Sequence, residues 1–365
     1  MQKDINAIKD TNKLLGLEII RFIAAFSVLI WHYQHFYYIK DAPENFIRHN
    51  QPYYNILSLF YDYGFFGVQI FWCISGFIFF WKYRELIADK KIGPKKFFKL
   101  RFSRLYPLHF ITLLIVAFLQ FLYFSKQSYF FVYQNNDLSH FILQLFLASN
   151  WSVESGFSFN GPIWSISVEV LAYFFFFVLL CNISKSYFLN FSIVFLYAVS
   201  KYLQMSLPLM ECLAYFYMGG LSAIAYKYIE NSKFEKTINI ILVLFLVFIP
   251  LVVFNTHIHQ SKFFTNWFLL MYMPILIFIC SKKVEFSINT RKTIEILGNM
   301  TYSSYLIHFP LQLLIALYFL NIEQSIPYNN KNFFIGFVSV TLFLSYIVYK
   351  YFELPIQNIL RKEVK

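Results

Sequence analysis

Apolar runs of roughly membrane-spanning length recur along the whole chain and constrain its fold more than any other feature. A transmembrane helix needs about 20 predominantly apolar residues. Ten segments approach or exceed that length: 15–38, 57–81, 105–124, 163–181, 187–204, 209–226, 238–254, 265–280, 297–320 and 333–352. With 58% hydrophobic and 22% aromatic residues, a soluble fold of this chain could not cover its surface with polar groups. The pattern predicts an all-α, polytopic transmembrane helix bundle of about ten spanning helices in a lipid bilayer.

The distribution of basic residues predicts how these helices are oriented. Lys and Arg are enriched in cytoplasmic loops of membrane proteins, and positions 82–104 hold nine of them. We therefore expect this loop and both tails, residues 1–13 and 356–365, to be cytoplasmic, with residues 14–355 forming one membrane domain. The apolar segment 140–151 is only about half a span long, so we expect a re-entrant or interfacial piece on the outer side.

Charge and cysteine content exclude several classes of protein. The net charge of +12 arises from the inner loops, so no nucleic-acid partner is expected. The four cysteines are scattered in or beside apolar segments without paired spacing, which indicates neither a metal site nor a disulfide framework. The first apolar run follows a charged segment that lacks a small-residue cleavage site, which indicates a retained helix rather than a signal peptide.

The first span contains LEIIRFIAAFSVLIWHY (Leu17–Tyr33), and its ionisable residues indicate a functional site. Arg21 and His32 are eleven positions apart, which returns them to nearly the same helix face, roughly 16 Å apart along the axis. Ionisable groups are costly in hydrocarbon and usually mark function. The structural alternative is a snorkelling arginine and a histidine bonded to a neighbouring helix.

Two arginines and a glutamate add a candidate anion site and a buried charge. Arg101 and Arg104 begin the third span on one helix face, and their guanidinium groups suit phosphate oxygens. An ordinary inner-loop anchor is the alternative. Glu169 shares a face with Ser165 in an otherwise apolar span, so it needs a partner from another helix, and Arg or His is the natural candidate. A structural ion pair is the alternative role for Glu169.

Later segments supply a second histidine and a second buried carboxylate. His308 lies in mid-helix two residues before a proline, which should kink the helix where a cavity is lined. Glu353 lies near the inner surface, where pairing with the basic tail is its expected role. Gly64, Gly67 and Gly76 in the second span are typical of close helix packing.

Two intramembrane histidines suit proton transfer near neutral pH, so the residues alone indicate acid–base chemistry or proton-linked transport.

Six motifs in order along the chain resemble those of acyltransferase family 3, the multi-pass bacterial enzymes that O-acylate surface polysaccharides and other extracytoplasmic acceptors. The matching positions are Arg21 with His32; Gly64, Gly67, Ser75, Gly76 and Phe77; Arg101, Arg104 and Pro107; Trp164, Ser165 and Glu169; Tyr305, Leu306, His308 and Pro310; and Glu353 with Pro355. The chain departs from the family pattern at Glu18, where Asp is usual, and at Gln69, where an acidic residue is common.

The resemblance implies an O-acetyltransferase of the bacterial cytoplasmic (inner) membrane. The donor would be an acyl-CoA, most often acetyl-CoA, and the acceptor a sugar hydroxyl of a lipid-linked or cell-surface glycan, with no metal involved. The residues expected to bind the donor are Arg101, Arg104 and Ser75. The residues expected to act in catalysis are His32, Arg21, Glu169 and His308.

The resemblance also implies roles for these residues and leaves alternatives open. The pantetheine arm would pass Arg21, and His32 would deprotonate the acceptor hydroxyl or transiently carry the acyl group. Glu169 would orient a His or Arg, while His308 would act as a second acid or base or only line the cavity. The rival function is a proton-coupled transporter or flippase of envelope precursors, with the same residues as a relay. A membrane scaffold for envelope assembly is a third interpretation.

Overall fold

The computed structural model describes residues 14–44, 46–151, 156–182, 186–205, 207–256 and 262–362, and nearly all regular structure in them is helical. The α-helices in this part of the chain are α1 (Leu15–His32), α2 (Tyr54–Tyr63), α3 (Gly67–Lys82), α4 (Arg84–Ala88), α5 (Pro94–Gln127), α6 (Leu138–Leu145), α7 (Ile163–Asn182), α8 (Tyr187–Tyr202), α9 (Pro208–Ile229), α10 (Glu235–Asn255), α11 (Lys262–Cys280), α12 (Ile288–Asn299), α13 (Thr301–Asn321), α14 (Lys331–Val348) and α15 (Leu354–Lys362). The predicted all-α bundle is confirmed.

Short irregular elements connect these helices. The 3-10 helices are Tyr33–Tyr37, Arg48–Asn50 and Gly64–Phe66, and a π-helical turn spans Tyr349–Glu353. Strand β1 (Tyr38–Ile39) pairs antiparallel with β2 (Ala42–Pro43). Together with its 3-10 continuation, α1 forms one helical segment from residue 15 to residue 37.

Seven helical segments of the described chain are long and apolar enough to cross a membrane. They are Leu15–Tyr37, Tyr54–Lys82, Pro94–Gln127, Ile163–Asn182, Glu235–Asn255, Thr301–Asn321 and Lys331–Lys362. The three other predicted spans are helical but fall outside this set. Helix α8 has only 16 residues, α9 carries Glu211 and Lys227, and the apolar helix Phe268–Cys280 within α11 is short. The count of about ten crossings therefore stays a prediction.

The exposure of α10 fits a helix that faces lipid. It is the most hydrophobic of the seven segments, yet only 6% of its most apolar window is buried. An apolar helix that packs little against protein needs another apolar environment, and the hydrocarbon of a bilayer supplies one. The structure thus adds exposure of this apolar helix to the evidence from composition for a membrane protein.

Glycines let α3 and α9 pack backbone to backbone. A Cβ atom at Gly76 would overlap the carbonyl oxygen of Phe216, and one at Gly219 would overlap that of Cys73. The ring of Phe80 packs on Gly220. Gln69, near the start of α3, contacts Glu211 near the start of α9, and Phe77 further along α3 contacts Tyr226 near the end of α9, so the two helices run in the same direction. Small residues at such a contact allow the van der Waals packing that drives helix association in lipid.

Helix α1 lies among α2, α3, α12 and α13, which places its residues in the interior of the bundle. A Cβ atom at Gly64 would overlap the Ser27 carbonyl oxygen, and one at Gly67 would overlap that of Ala24. The three glycines predicted to pack closely therefore do so, two against α1 and Gly76 against α9. This packing holds α3 against α1 and fixes the walls of the site described below.

Two predicted segments take forms that the sequence left open. Within 140–151 the structure has the short helix α6, whose eight residues reach only about 12 Å at 1.5 Å per residue. Its position at the membrane surface stays a prediction. The predicted tail 356–365 is helical as far as Lys362 and packs against α5. The predicted tail 1–13 lies outside the described residues.

Candidate active site

Two cavities lie inside the bundle, and all the predicted site residues except His308 line one or the other. The arginine cavity, of about 100 Å³, is lined by Arg21, Ser75, Arg101, Arg104, Ser165, Glu169, Tyr173 and their apolar neighbours. The histidine cavity, of about 810 Å³, is lined by His32, His35, Gln69, Tyr133, Trp164, Lys201, Glu211 and further aromatic and polar residues. Val68 and Tyr305 line both cavities. Arg21 and His32 therefore share α1, as predicted, but belong to adjoining cavities.

Arg21 and Arg101 are held in place by protein contacts. Arg21 is 8% exposed, and its Nη1 lies 2.9 Å from Glu18 Oε2, one turn earlier in α1. The Arg101 Nη2 donates to the Tyr83 hydroxyl at 2.7 Å. The Arg101 guanidinium also lies over the rings of Phe79 and Tyr83, with centroids 4.9 and 5.1 Å away. These contacts fix two cations at the wall of the arginine cavity.

Arg104 differs from Arg21 and Arg101 in its partners. It lines the arginine cavity, and its charge acts on the buried carboxylates of Glu169 and Glu353. No residue in the described ranges accepts a hydrogen bond from its guanidinium or lies in ion-pair contact with it. The Arg101 Nε is likewise buried without an acceptor in this part of the chain. Guanidinium N–H groups retain strong donor capacity, so these two arginines can bind an anion that enters the cavity.

Glu169 has a different partner from the one that the sequence predicts. The Tyr173 hydroxyl donates to Glu169 Oε1 at 2.5 Å, and the Ser75 side chain also hydrogen-bonds the carboxylate. Among the described residues no Arg or His nitrogen lies within ion-pair distance of Glu169, but the charges of Arg104 and Arg21, from two other helices, act on its carboxylate. Tyr173 is one helical turn from Glu169 and supplies the direct hydrogen bond in place of a cation.

Three histidines from two helical segments meet beside the histidine cavity. The ring of His32 lies 4.8 Å from that of His35 and 4.8 Å from that of His308, measured between centroids. His32 Nδ1 lies 3.0 Å from the Val28 carbonyl oxygen, and His308 Nδ1 lies 3.2 Å from that of Ser304. In the described chain no group of three His, Cys, Asp or Glu side chains is arranged to hold a metal ion.

These backbone contacts decide which histidine nitrogen can act as a base. A carbonyl oxygen can only accept, so Nδ1 of both His32 and His308 carries the hydrogen in the neutral ring. Nε2 then has the free lone pair. His308 Nε2 is buried and has no hydrogen-bond partner within the described ranges. Both predicted histidines are therefore oriented with a basic nitrogen available for proton transfer.

His35 and Gln312 extend the cluster, and the sequence analysis missed both. His35 Nδ1 lies 3.0 Å from Gln312 Oε1, and Gln312 Nε2 donates to the His32 carbonyl oxygen at 2.8 Å. The Tyr133 hydroxyl lies 3.2 Å from His35 Nε2. Two spacings in the sequence could have indicated these residues. His35 follows His32 by three positions, and Gln312 follows His308 by four, so each lies about one helical turn from a predicted histidine. The network fixes the end of α1, where His32 lies.

Tyr305 lies at the junction of the two cavities. Its hydroxyl donates to the Pro162 carbonyl oxygen at 2.9 Å and lies 2.7 Å from Ser165 Oγ. The ring contacts His308, with centroids 6.1 Å apart. The motif residues Ser165 and Tyr305, from α7 and α13, thus meet at the boundary between the cationic and the histidine-lined space.

Glu353 is part of the protein interior rather than a partner of the basic tail. It is 5% exposed, accepts a hydrogen bond from Ser303 Oγ at 2.7 Å and another from Gln357 Nε2 at 3.0 Å. Within the described ranges no Lys or Arg of the tail lies in ion-pair contact with Glu353, although the charge of Arg361 acts on its carboxylate. Arg361 of that segment bonds Ser103 Oγ instead, at 3.1 Å.

The fold and the two cavities define an integral-membrane protein with paired polar sites inside its helical bundle. The family model described as an acyltransferase domain, that of acyltransferase family 3, matches residues 14–350. The chain therefore belongs to this acyltransferase family and is a membrane acyltransferase. No curated protein and no solved structure matches the chain. Family membership favours the enzyme over the transporter and scaffold interpretations.

Proposed function

We propose that this acyltransferase transfers an acyl group, most simply acetyl, from acyl-CoA to a sugar hydroxyl of a lipid-linked or cell-surface glycan. The observation that carries the proposal is the pair of adjoining cavities, one lined by arginines and the other by histidines, with Val68 and Tyr305 common to both. An enzyme whose anionic donor comes from the cytoplasm and whose acceptor comes from outside needs two binding cavities that meet at one reacting centre.

The arginine cavity would receive the donor. CoA carries phosphates, and Arg104 together with Arg101 Nε offers hydrogen-bond donors that no described protein group uses. The lysines of segment 90–99 add positive charge before these arginines and would attract the donor from the cytoplasm. The protein would then lie in the bacterial cytoplasmic membrane with its termini inside.

The histidine cavity would receive the acceptor. Its wall combines aromatic side chains, among them Trp31, Trp164 and Tyr38, with carboxylate, amide and ammonium groups. Ligand sites of this kind bind the apolar face of a ligand with rings and orient it with a few polar groups. A sugar offers both surfaces, since its C–H face packs on aromatic rings and its hydroxyls donate and accept hydrogen bonds.

In the proposed step, His32 Nε2 accepts the proton of the acceptor hydroxyl while its Nδ1–H remains bonded to the Val28 carbonyl oxygen. The acceptor oxygen attacks the thioester carbonyl carbon and forms the new C–O bond. The C–S bond then breaks, and the departing CoA sulfur takes the proton from His32 Nε2, which restores the neutral ring. An acyl-histidine at Nε2 is the alternative route. Glu169 orients Tyr173 and Ser75 at the cavity wall, and His308 is a second acid or base.

The test uses the purified protein in lipid nanodiscs with acetyl-CoA and a panel of glycan acceptors. Release of the CoA thiol is followed together with the acceptor mass, and the glycans of cells with and without the gene are compared by mass spectrometry. We expect acceptor-dependent thiol release and an acetyl mass increment that His32→Ala abolishes. The exposed His49 provides a matched control, because His49→Ala should leave transfer unchanged. Absence of any acylated product in the wild type contradicts the proposal.

A further inference from the structure

Resting on the proposed function, we propose that Gln69, Glu211 and Lys201 form a recognition subsite for a second hydroxyl of a neutral sugar acceptor. All three side chains line the histidine cavity, which also contains His32. They come from three helices, α3, α9 and α8, which meet at this wall of the cavity. The subsite would select and orient the sugar, while His32 acts on the hydroxyl that becomes acylated.

The contacts within this group determine which atoms remain available. Gln69 Nε2 donates to Glu211 Oε1 at 3.1 Å. Glu211 Oε2 lies 3.8 Å from Lys201 Nζ, which also lies over the Tyr197 ring at 5.5 Å. Because a carboxylate only accepts, the NH₂ group of Gln69 must face Glu211, and its carbonyl oxygen Oε1 must point away. The orientation of the amide is therefore fixed by its neighbour.

Gln69 Oε1 is a buried acceptor that no described protein group satisfies. The residue is 7% exposed, and Oε1 has no hydrogen-bond partner in the described ranges. A buried polar atom without a partner destabilises a fold, and because Gln69 lines the histidine cavity, a ligand bound there could relieve that cost. What Oε1 requires is a donor, which a sugar hydroxyl provides. Lys201 Nζ can in turn donate to an oxygen of the same sugar.

The charges of the group determine the class of acceptor. Lys201 and Glu211 form an ion pair and largely cancel, as do Arg48 and Asp62, while Asp41 adds a further carboxylate to the cavity wall. A uronic acid or a phosphate placed here would meet the oxygen of Gln69 and these carboxylates, an arrangement that costs free energy. The group therefore fits a neutral hydroxyl-bearing sugar better than an acidic one.

The experiment measures acetyl transfer to methyl hexopyranosides, their monodeoxy analogues and the matching methyl hexuronosides by the protein in nanodiscs. We expect the wild type to prefer neutral hexosides, and loss of one particular hydroxyl to lower kcat/KM about tenfold, as one hydrogen bond implies. Gln69→Met should lower kcat/KM for the parent sugar by a similar factor but not for that deoxy analogue. Its KM for acetyl-CoA should stay unchanged.

Gln120→Met provides the control for a purely structural effect. Gln120 is buried, and the nitrogen and the oxygen of its side-chain amide both hydrogen-bond the backbone of Phe131. It lines neither cavity, so Gln120→Met should lower thermal stability without altering the selectivity among sugars. If Gln69→Met fails to fold, the subsite is tested instead by the rates of the wild type and of Lys201→Met on the deoxy analogues. Equal rates on all deoxy analogues, a preference for hexuronosides, or a folded Gln69→Met with wild-type selectivity each overturns the subsite alone. Absence of transfer to any sugar by the wild type overturns the proposed function and the subsite with it.

Discussion

Replacement of Arg104 by glutamine should weaken donor binding selectively. Arg104 lines the arginine cavity and has no hydrogen-bond acceptor or ion-pair contact in the described chain, so Arg104→Gln removes a donor to the ligand and breaks no direct protein hydrogen bond, although it also removes a charge that acts on Glu169 and Glu353. A hydrogen bond to a charged group is worth about 1.5–3 kcal/mol, and each 1.4 kcal/mol corresponds to about tenfold in affinity. We therefore expect the dissociation constant of CoA to rise roughly 10- to 100-fold, with a smaller loss of thermal stability than Arg101→Gln causes.

The neighbouring arginine supplies an informative comparison. Arg101 bonds Tyr83 and stacks over Phe79, so Arg101→Gln should lower thermal stability as well as donor affinity. Arg291→Gln is the matched control, because Arg291 is exposed and pairs with Glu295 on α12, outside both cavities. Calorimetric titration of CoA into nanodiscs measures each affinity, and repetition at higher ionic strength should weaken wild-type binding more than Arg104→Gln binding. Unchanged CoA affinity in both cavity variants would refute the assignment of the phosphates to these arginines.

Three further predictions follow from packing, topology and the second histidine. Gly76→Val forces a side chain against the Phe216 carbonyl and should destabilise the protein by about 1–3 kcal/mol, whereas Gly336→Val, where an added Cβ meets nothing within 4 Å, should leave the melting temperature nearly unchanged. Cysteines introduced at the exposed Lys91 and Lys126 should differ in labelling by an impermeant reagent added to intact cells, because the inner-loop charges place them on opposite sides; equal labelling contradicts the topology. His308→Asn should reduce the transfer rate by about 10²-fold, as loss of a second acid or base implies; an unchanged rate in the folded variant contradicts that role.

Local sequence patterns were sufficient to predict the helices and most of the arginine cavity. Apolar length and helical spacing are local properties, so α7 and the segment formed by α1 with its 3-10 continuation lie close to their predicted bounds, whereas α5 begins at Pro94, well before the predicted start at 105. The same spacing would have connected Glu169 with Tyr173, four residues later, but a cation from another helix was expected instead. The carboxylate takes its direct hydrogen bond from this i, i+4 hydroxyl, and the charges of Arg104 and Arg21 act on it without an ion-pair contact.

The histidine cavity depends on contacts that no local pattern contains. Gln312 reaches His32 and His35 across 280 and 277 positions of the chain, and Gln69 meets Glu211 across 142. The packing of α13 on α1 and of α9 on α3 creates these pairs, and the sequence analysis did not predict which helices are neighbours. Arg21 and His32 line different cavities because Val68 and Tyr305 lie between the two cavities. This boundary also depends on contacts between helices that are distant in sequence.

The central claim is that His32 Nε2 is the base, and replacement of His32 by asparagine tests it most directly. The asparagine amide can keep the donor to the Val28 carbonyl oxygen in place of Nδ1, but it offers no basic nitrogen. In nanodiscs, the acyl transfer rate of His32→Asn should fall by about 10²–10⁴-fold, as loss of a general base implies, while CoA affinity and thermal stability stay at wild-type values. His32→Gln should fail in the same way. Retention of most of the transfer rate by folded His32→Asn and His32→Gln would contradict the account, and would make His308 the first residue to examine as the base.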